Sequence, residues 1–257
     1  MCNATPIEIP HILQEGRFTV DFDAMESAVT PRTRLLIYTS PSNPLGWVAT
    51  GEEQRKLLDF SRRHGLWLLA DEVYDRLCYR DGGIAPSILK IAGPDDALII
   101  VQSFSKAWCM TGWRLGWLVS RPDLCARAAQ FNEFTVSHAP SIAQKAGEVA
   151  LHQGEEFVEH LVSRLRTNRG FCAQALEQMD GVTVPSPEGA FYLFPKLDGL
   201  VDSFTFCKEL LLTCRVGLAP GVAFGAGGEG SVRICYAAER SILEPAIERL
   251  AKFVSTR

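Results

Sequence analysis

Short apolar runs alternate with amphipathic stretches through the first half of the chain, the pattern of parallel strands joined by crossover helices. Strands are expected at Pro6 to Ile9, Arg34 to Thr39, Leu66 to Ala70, Leu98 to Gln102 and Leu115 to Ser120. Between the second and third, Thr50-Gly51-Glu52-Glu53 carries a capping-box signature; Leu57, Leu58 and Ser61 then share one helix face and Gly65 supplies a stop. From about Ser141 the period turns helical through Phe157, Leu161, Leu165 and Leu176, with a break at Gly154. A helix of that length can bridge two domains. After Gly181 short β-like runs (Val182 to Val184, Ala190 to Phe194, Ser231 to Tyr236) are interleaved with helical stretches at Phe204 to Leu212 and Ile242 to Val254. The pattern therefore predicts an α/β fold. A mostly parallel sheet with flanking helices fills a large domain over residues 1–165, and a smaller α+β domain covers residues 166–257.

Charge and composition narrow the function. The 257 residues carry 26 basic and 30 acidic side chains, a formal net charge of -4. A nucleic-acid binder held by a broad basic face is excluded, and small-molecule chemistry takes its place. No uncharged apolar run reaches the ~18 residues of a membrane span, because Ala97 to Ser105 is stopped by Lys106. The first residues lack a basic segment followed by an apolar one, so no secretory signal is read and the Asn3-Ala4-Thr5 sequon counts as chance. The eight cysteines are scattered without a Cys-x-x-Cys pair, which fits reduced thiols in a cytoplasmic protein better than disulfides or a metal site.

Two nucleotide signatures fail on context. Gly225, Gly227 and Gly230 match the spacing of a dinucleotide-binding loop, but a strand rather than a helix is expected after them. The acidic end of Leu66 to Glu72 would suit a nucleotide hydrolase, yet no lysine in the chain follows a glycine, so there is no phosphate-binding loop.

Other residues carry more chemistry. Asp71 ends an apolar strand, where open α/β sheets bind ligands, and Tyr74 would lie one helical turn further on; a turn or capping role is the plain alternative. Lys106 ends the apolar run Leu98 to Phe104. A lysine against a low-dielectric interior tends toward the free amine that forms Schiff bases, although a snorkelling surface lysine is the alternative. Ser103 and Ser105 flank it and Arg114 follows within Gly112 to Gly116. Lysine, hydroxyls and arginine together suit an aldehyde-bearing phosphate ester. Asn43-Pro44-Leu45-Gly46 is at least a turn. Arg233 sits on the opposite strand face from Val232, Ile234 and Tyr236, as either a solvated side chain or a bidentate carboxylate clamp.

These segments, with Pro187-Glu188-Gly189-Ala190-Phe191-Tyr192, Pro220-Gly221 and Phe224-Gly225, resemble in order and separation the class I and II aminotransferases, pyridoxal-phosphate enzymes of the aspartate aminotransferase superfamily. The resemblance implies that Lys106 is the Schiff-base lysine and that Asp71 pairs with the pyridine nitrogen of pyridoxal 5'-phosphate. It gives Tyr74 and Asn43 to the ring hydroxyl oxygen, and Arg114, Ser103 and Ser105 to the phosphate. Arg233 would bind the substrate carboxylate, with Asn43 and Phe191 near the substrate. The implied reaction passes an amino group between an amino acid and a 2-oxo acid by a ping-pong course in a cytoplasmic homodimer, with neither nucleic acid nor membrane as partner.

The chain also departs from the pattern. Pro6 to Ile9 resembles the third strand of the family's large domain, so the large domain is expected to be incomplete at its N-terminal side, with that strand unpartnered at the sheet edge. Upstream parts that grip the phosphate and stack on the ring have no counterpart. Two other readings follow: an aminotransferase-like chain without turnover that serves as a binding partner, and a lyase using the same cofactor.

Overall fold

A computed structural model describes residues 4–256. Cys2 and the sequon's Asn3 lie outside the described residues. Residues 4–10 carry no regular structure, so the strand expected at Pro6 to Ile9 does not form. Pro6 and Pro10 bound that segment, and neither can donate to a ladder. The chain opens instead with a hairpin, β1 (His11–Gln14) against β2 (Arg17–Val20), turned at Glu15 and Gly16 with both residues at positive φ. Helix α1 (Phe22–Ala28) follows, its first turn capped by the Asp21 carboxylate, which accepts the Ala24 N–H at 2.8 Å.

The main sheet then builds in sequence order. Strand β3 (Leu35–Thr39) leads through a turn into helix α2 (Gly51–His64), then to β4 (Trp67–Asp71), β5 (Leu98–Ser103) and β6 (Gly116–Ser120). Their spatial order is β3-β4-β5-β6, with β3, β4 and β5 parallel and β6 antiparallel to β5. The connection from Ser103 to Gly116 holds turns and one 3-10 turn (Thr111–Trp113) but no crossover helix, so the chain returns antiparallel. The sheet is therefore mostly parallel, and its open edges are β3 and β6 rather than Pro6 to Ile9. Ile37 on β3 is 59% exposed. The capping box on α2 is complete: Glu53 N–H donates to Thr50 Oγ1 at 3.1 Å and Thr50 N–H to Glu53 Oε2 at 2.7 Å. Gly65 ends the helix in the left-handed conformation at φ 63°.

Helix α3 (Pro122–Thr135) is followed by α4 (Ser141–Gln153) and α5 (Glu155–Glu177). The break falls at Gly154 as expected, where an added Cβ would lie 2.4 Å from the Ala150 carbonyl oxygen. Beyond it come β7 (Val182–Thr183), β8 (Tyr192–Leu193), β9 (Lys196–Leu197), α6 (Ser203–Cys214), β10 (Ala219–Pro220), β11 (Val232–Cys235) and α7 (Arg240–Val254). Strands β10, β11 and β8 form an antiparallel sheet in that order, and β7 pairs with β9.

Two large buried clusters organise these elements. One packs Tyr38, Leu68 and Ile100 of the main sheet against Leu57, Leu58 and Phe60 of α2. The other gathers Leu161, Leu165 and Leu176 of α5 with Leu193, Val232, Ile234, Leu210 and Ile247, and it also takes in Tyr74, Leu77 and Tyr79 from the segment after β4. That segment carries the carboxyl end of β4 into the second cluster. Among the described residues no helix is long and apolar enough to cross a membrane, and the described cysteines are free thiols.

Candidate active site

Asp71 is the last residue of β4, flanked in register by Thr39 of β3 and Val101 of β5. Partial burial raises its carboxyl above the ordinary range. The Val73 N–H, the Thr39 hydroxyl and the nearby Lys106 charge pull the other way. After Asp71 the chain makes successive turns rather than a helix, with Asp75 N–H donating to the Glu72 carbonyl and Leu77 N–H to the Tyr74 carbonyl. These turns bury Tyr74 to 4% exposure. Burial raises the Tyr74 phenol well above its usual value, and its hydroxyl stays protonated.

Ser103 ends β5. Its hydroxyl accepts the Ser105 N–H at 3.0 Å and lies 3.5 Å from the Leu115 carbonyl oxygen, so it pins the turn that projects Lys106. Ser105 is buried, and Lys106 is half-buried with Nζ 5.5 Å from the centre of the Tyr74 ring. Asp71, Tyr74 and Lys106 thus come from the ends of adjacent parallel strands and lie near one another, with turns standing in for the helical turn expected between Asp71 and Tyr74. Arg114 is placed differently. It is exposed, holds a left-handed φ of 50°, and donates to the Thr111 carbonyl at 2.9 Å. It forms no ion pair among the described residues, and the backbone of its neighbour Leu115 meets Ser103.

The second half of the site assembles through contacts between distant segments. The turn at Asn43 to Gly46 follows β3 and docks on Pro187 to Gly189, where the Glu188 and Gly189 N–H groups donate to the Gly46 carbonyl at 2.8 and 3.0 Å. Gly46 has φ 66°, and a Cβ there would stand 2.3 Å from Pro187 Cβ. Arg17 and Arg80 brace the same junction: both pair with Glu188, Arg17 also pairs with Glu53, and both donate to the Val48 carbonyl. The docked turn presents Asn43 to β11, and Arg233 Nη1 donates to Asn43 Oδ1 at 2.8 Å. The Arg233 guanidinium also lies 4.4 Å from the Tyr192 ring centre and 4.8 Å from that of Phe224. Its Nε is buried without a partner.

Phe191 meets Tyr74 edge-on at 5.5 Å, and the Tyr74 and Tyr192 hydroxyls are 3.4 Å apart. A cavity of about 180 Å³ opens beside them, lined by Lys106, Ser105, Phe191, Arg164 and Leu161 among others. The structure therefore joins Asn43, Asp71, Tyr74, Ser103, Ser105, Lys106, Phe191 and Arg233 through direct or one-step contacts, and leaves Arg114 at the margin. Thr39, Tyr192 and Phe224 also contact these residues, although the sequence assigns none of them a role and names Tyr192 and Phe224 only within motifs. Thr39 shares with Asp71 a strand-end position that could have flagged it; the roles of Tyr192 and Phe224 depend on cross-strand register, which carries no local signal.

A lysine amine, an adjacent carboxylate, hydroxyls and a guanidinium with unspent donors are groups that could hold an anionic, carbonyl-bearing ligand together with a carboxylate. Comparisons with known proteins identify the family. Residues 1–250 match the family model for aminotransferase class I and II. The chain is 34% identical over 260 residues to an aromatic-amino-acid aminotransferase of Thermococcus litoralis, covering 100% of this chain and 66% of that protein. It is 33% identical over 255 residues to the aspartate aminotransferase of Pyrococcus horikoshii, covering 98% and 64%. It thus spans about two thirds of the length of these curated relatives. Among solved structures, an aromatic aminotransferase from Pyrococcus horikoshii superimposes with a TM-score of 0.92 at 34% identity, over 98% of this chain and 68% of that one. An aspartate aminotransferase from Thermotoga maritima does so with a TM-score of 0.84 at 32% identity, over 92% and 60%. Sequence and fold place the chain in one group: it belongs to the class I and II aminotransferase family.

Proposed function

We propose that the protein is a pyridoxal-phosphate-dependent aminotransferase that passes an amino group from an amino acid to a 2-oxo acid by a ping-pong course. One observation carries this reading: Lys106 leaves the end of β5 beside Tyr74 and within charge reach of Asp71, and Tyr74 meets Tyr192, whose ring lies against Arg233 on Asn43. The donor set fits the cofactor. It contains an amine, a half-buried carboxylate without a resident cation as hydrogen-bond partner, two hydroxyl residues at a strand end, and a buried, unpartnered Nε on the carboxylate-facing arginine.

Bound pyridoxal 5'-phosphate supplies a carbonyl carbon that condenses with amines and a protonated ring that takes up the electron pair left when the substrate's α-proton departs. Lys106 Nζ would provide the chain's amine for attachment and, once displaced by the amino acid, would hold the α-proton as general base. Asp71 would keep the ring nitrogen protonated; burial alone favours its neutral form, and a cation at hydrogen-bond distance restores the carboxylate. Such a charged hydrogen bond contributes about 1.5–3 kcal/mol. Tyr74 and Asn43 would address the ring hydroxyl oxygen, and Ser103, Ser105 and the unpaired Arg114 the phosphate. Arg233 would take the α-carboxylate of both substrates, with Phe191 as an apolar wall of the substrate pocket.

The division into a cofactor-binding part, residues 1–165, and a smaller part, residues 166–257, belongs to the same reading; two separate buried clusters support a two-part core, although the second also takes in Tyr74, Leu77, Tyr79, Leu161 and Leu165 from the first span. Homodimer formation and cytoplasmic residence also belong to that reading, supported by exposed apolar side chains such as Phe134 at 83% and by the free thiols. The test is to incubate the purified protein with pyridoxal 5'-phosphate, reduce with borohydride and map the modified peptide. Attachment is expected at Lys106 and is lost in Lys106→Ala. No attachment in the unmutated protein overturns the reading; attachment without amino-group exchange between amino acids and 2-oxo acids overturns the transfer step.

A further inference from the structure

We propose that Tyr192 is a positioning residue for Arg233, its ring holding the guanidinium in the orientation that receives a carboxylate. The assignment rests on the carboxylate role given to Arg233 above. Register places the two side chains together: Tyr192 of β8 stands opposite Cys235 of β11, and Arg233, two residues before Cys235, shares that face. Diagonal neighbours on one sheet face lie within reach of aromatic and long side chains. The outcome is a guanidinium carbon 4.4 Å from the Tyr192 ring centre.

Arg233 has unusual surroundings for a half-buried cation. It forms no ion pair among the described residues. Its partners are the Asn43 side-chain oxygen and the rings of Tyr192 and Phe224. An arginine balanced by an acid would have its fork occupied. One balanced by ring quadrupoles keeps its donors for an incoming anion while losing less side-chain freedom on binding. Nε is such a donor, buried and without a partner.

Tyr192 is itself held. It is 7% exposed, its ring lies 4.5 Å from that of Phe191, and its hydroxyl is 3.4 Å from the Tyr74 hydroxyl. The same side chain therefore ties the carboxylate-binding arginine to the tyrosine beside Lys106. Phe224 reaches Arg233 from a flanking turn (Gly221–Phe224) and makes an edge contact with Phe194 at 5.9 Å. Tyr192 is the ring that links both halves of the site.

Binding of 3-phenylpropanoate, a carboxylate that has no amino group and cannot turn over, measured by calorimetry on the cofactor-loaded protein, tests the assignment. Arg233→Leu is expected to abolish binding. Tyr192→Leu should weaken it about 10-fold, and Tyr192→Phe, which keeps the ring, should restore affinity to within about 2-fold of the unmutated protein. If Tyr192→Leu unfolds, Tyr192→Met, closer in volume and also without a ring face, reads the same loss. Unchanged affinity in Tyr192→Leu or Tyr192→Met overturns the assignment, as does equal weakening in Tyr192→Phe. Failure of the unmutated protein to bind, or binding that survives Arg233→Leu, instead overturns the carboxylate role of Arg233, and this assignment with it.

Discussion

Replacing Gly46 with alanine isolates the contact that presents Asn43 to Arg233, the half of the site proposed for a carboxylate. Gly46 and Gly65 are both left-handed, at φ 66° and 63°. An L-residue pays about 1–2 kcal/mol in that region, and the gain from a stiffer unfolded chain is the same for both glycines. Their surroundings differ. A Cβ at Gly65 meets nothing within 4 Å, whereas at Gly46 it stands 2.3 Å from Pro187 Cβ, 3.0 Å from Pro187 Cα and 3.1 Å from the Gly189 carbonyl oxygen. All three atoms are backbone or ring-bound, so the turn must move. Forced overpacking of this kind costs about 1–3 kcal/mol. Gly65→Ala should therefore lose about 1–2 kcal/mol and Gly46→Ala about 2–5 kcal/mol, read from urea midpoints at constant m. The same movement carries Asn43 away from Arg233, so Gly46→Ala should also weaken carboxylate binding and Gly65→Ala should not. Equal destabilisation by the two substitutions would refute the reasoning, because it would mean that the docked turn yields without cost.

Further outcomes follow from single side chains. His11 packs edge-on against Trp47 at 4.8 Å with Nε2 buried and unpartnered, and burial lowers its pKa from 6.5 to about 4. The folded state then binds fewer protons than the unfolded state between those values, so stability is full above pH 6.5 and falls as pH drops toward 4. Between pH 7.5 and 5 the loss is about 2 kcal/mol, and His11→Phe should remove that part of the slope in urea midpoints; an unaltered slope refutes the assignment. Thr50→Ala breaks the capping box and should cost about 1 kcal/mol of unfolding free energy; a change below a few tenths would show that the cap contributes nothing. Leu165→Ala on α5, at 1% exposure, should cost about 2–5 kcal/mol in the same measurement, and a loss below about 1 kcal/mol would mean that this side of the second cluster collapses freely.

Features set by a few neighbouring residues were legible in the sequence. The Thr50 capping box, the Gly65 stop, the Gly154 break and the strands expected to Ala70 and Gln102, each one residue short of its observed end, all depend on side-chain and backbone groups close along the chain, so their pattern is local. The same holds for the chemical types at Asp71, Tyr74 and Lys106: once the strands are parallel neighbours, their carboxyl ends must share one edge. The sheet's limits were less accessible. A short apolar run such as Pro6 to Ile9 becomes a strand only if a partner accepts its backbone groups, and here none pairs with it among the described residues. The direction of β6 was likewise decided by the connection before it.

By itself, then, the sequence determined most elements from β3 onward, the residue types at the strand ends and the family pattern, because each is written within a few residues or in the order of motifs; the opening hairpin, α1 and α3 were not read from it. Only the tertiary structure decided that Gly46 lies against Pro187, that Asn43 receives Arg233 across 190 positions, and that Tyr192 stands beneath that arginine while Arg114 turns to Thr111. Those outcomes depend on register and close packing between segments far apart in the chain, where a shift of one residue would turn a strand's side chains to the other face.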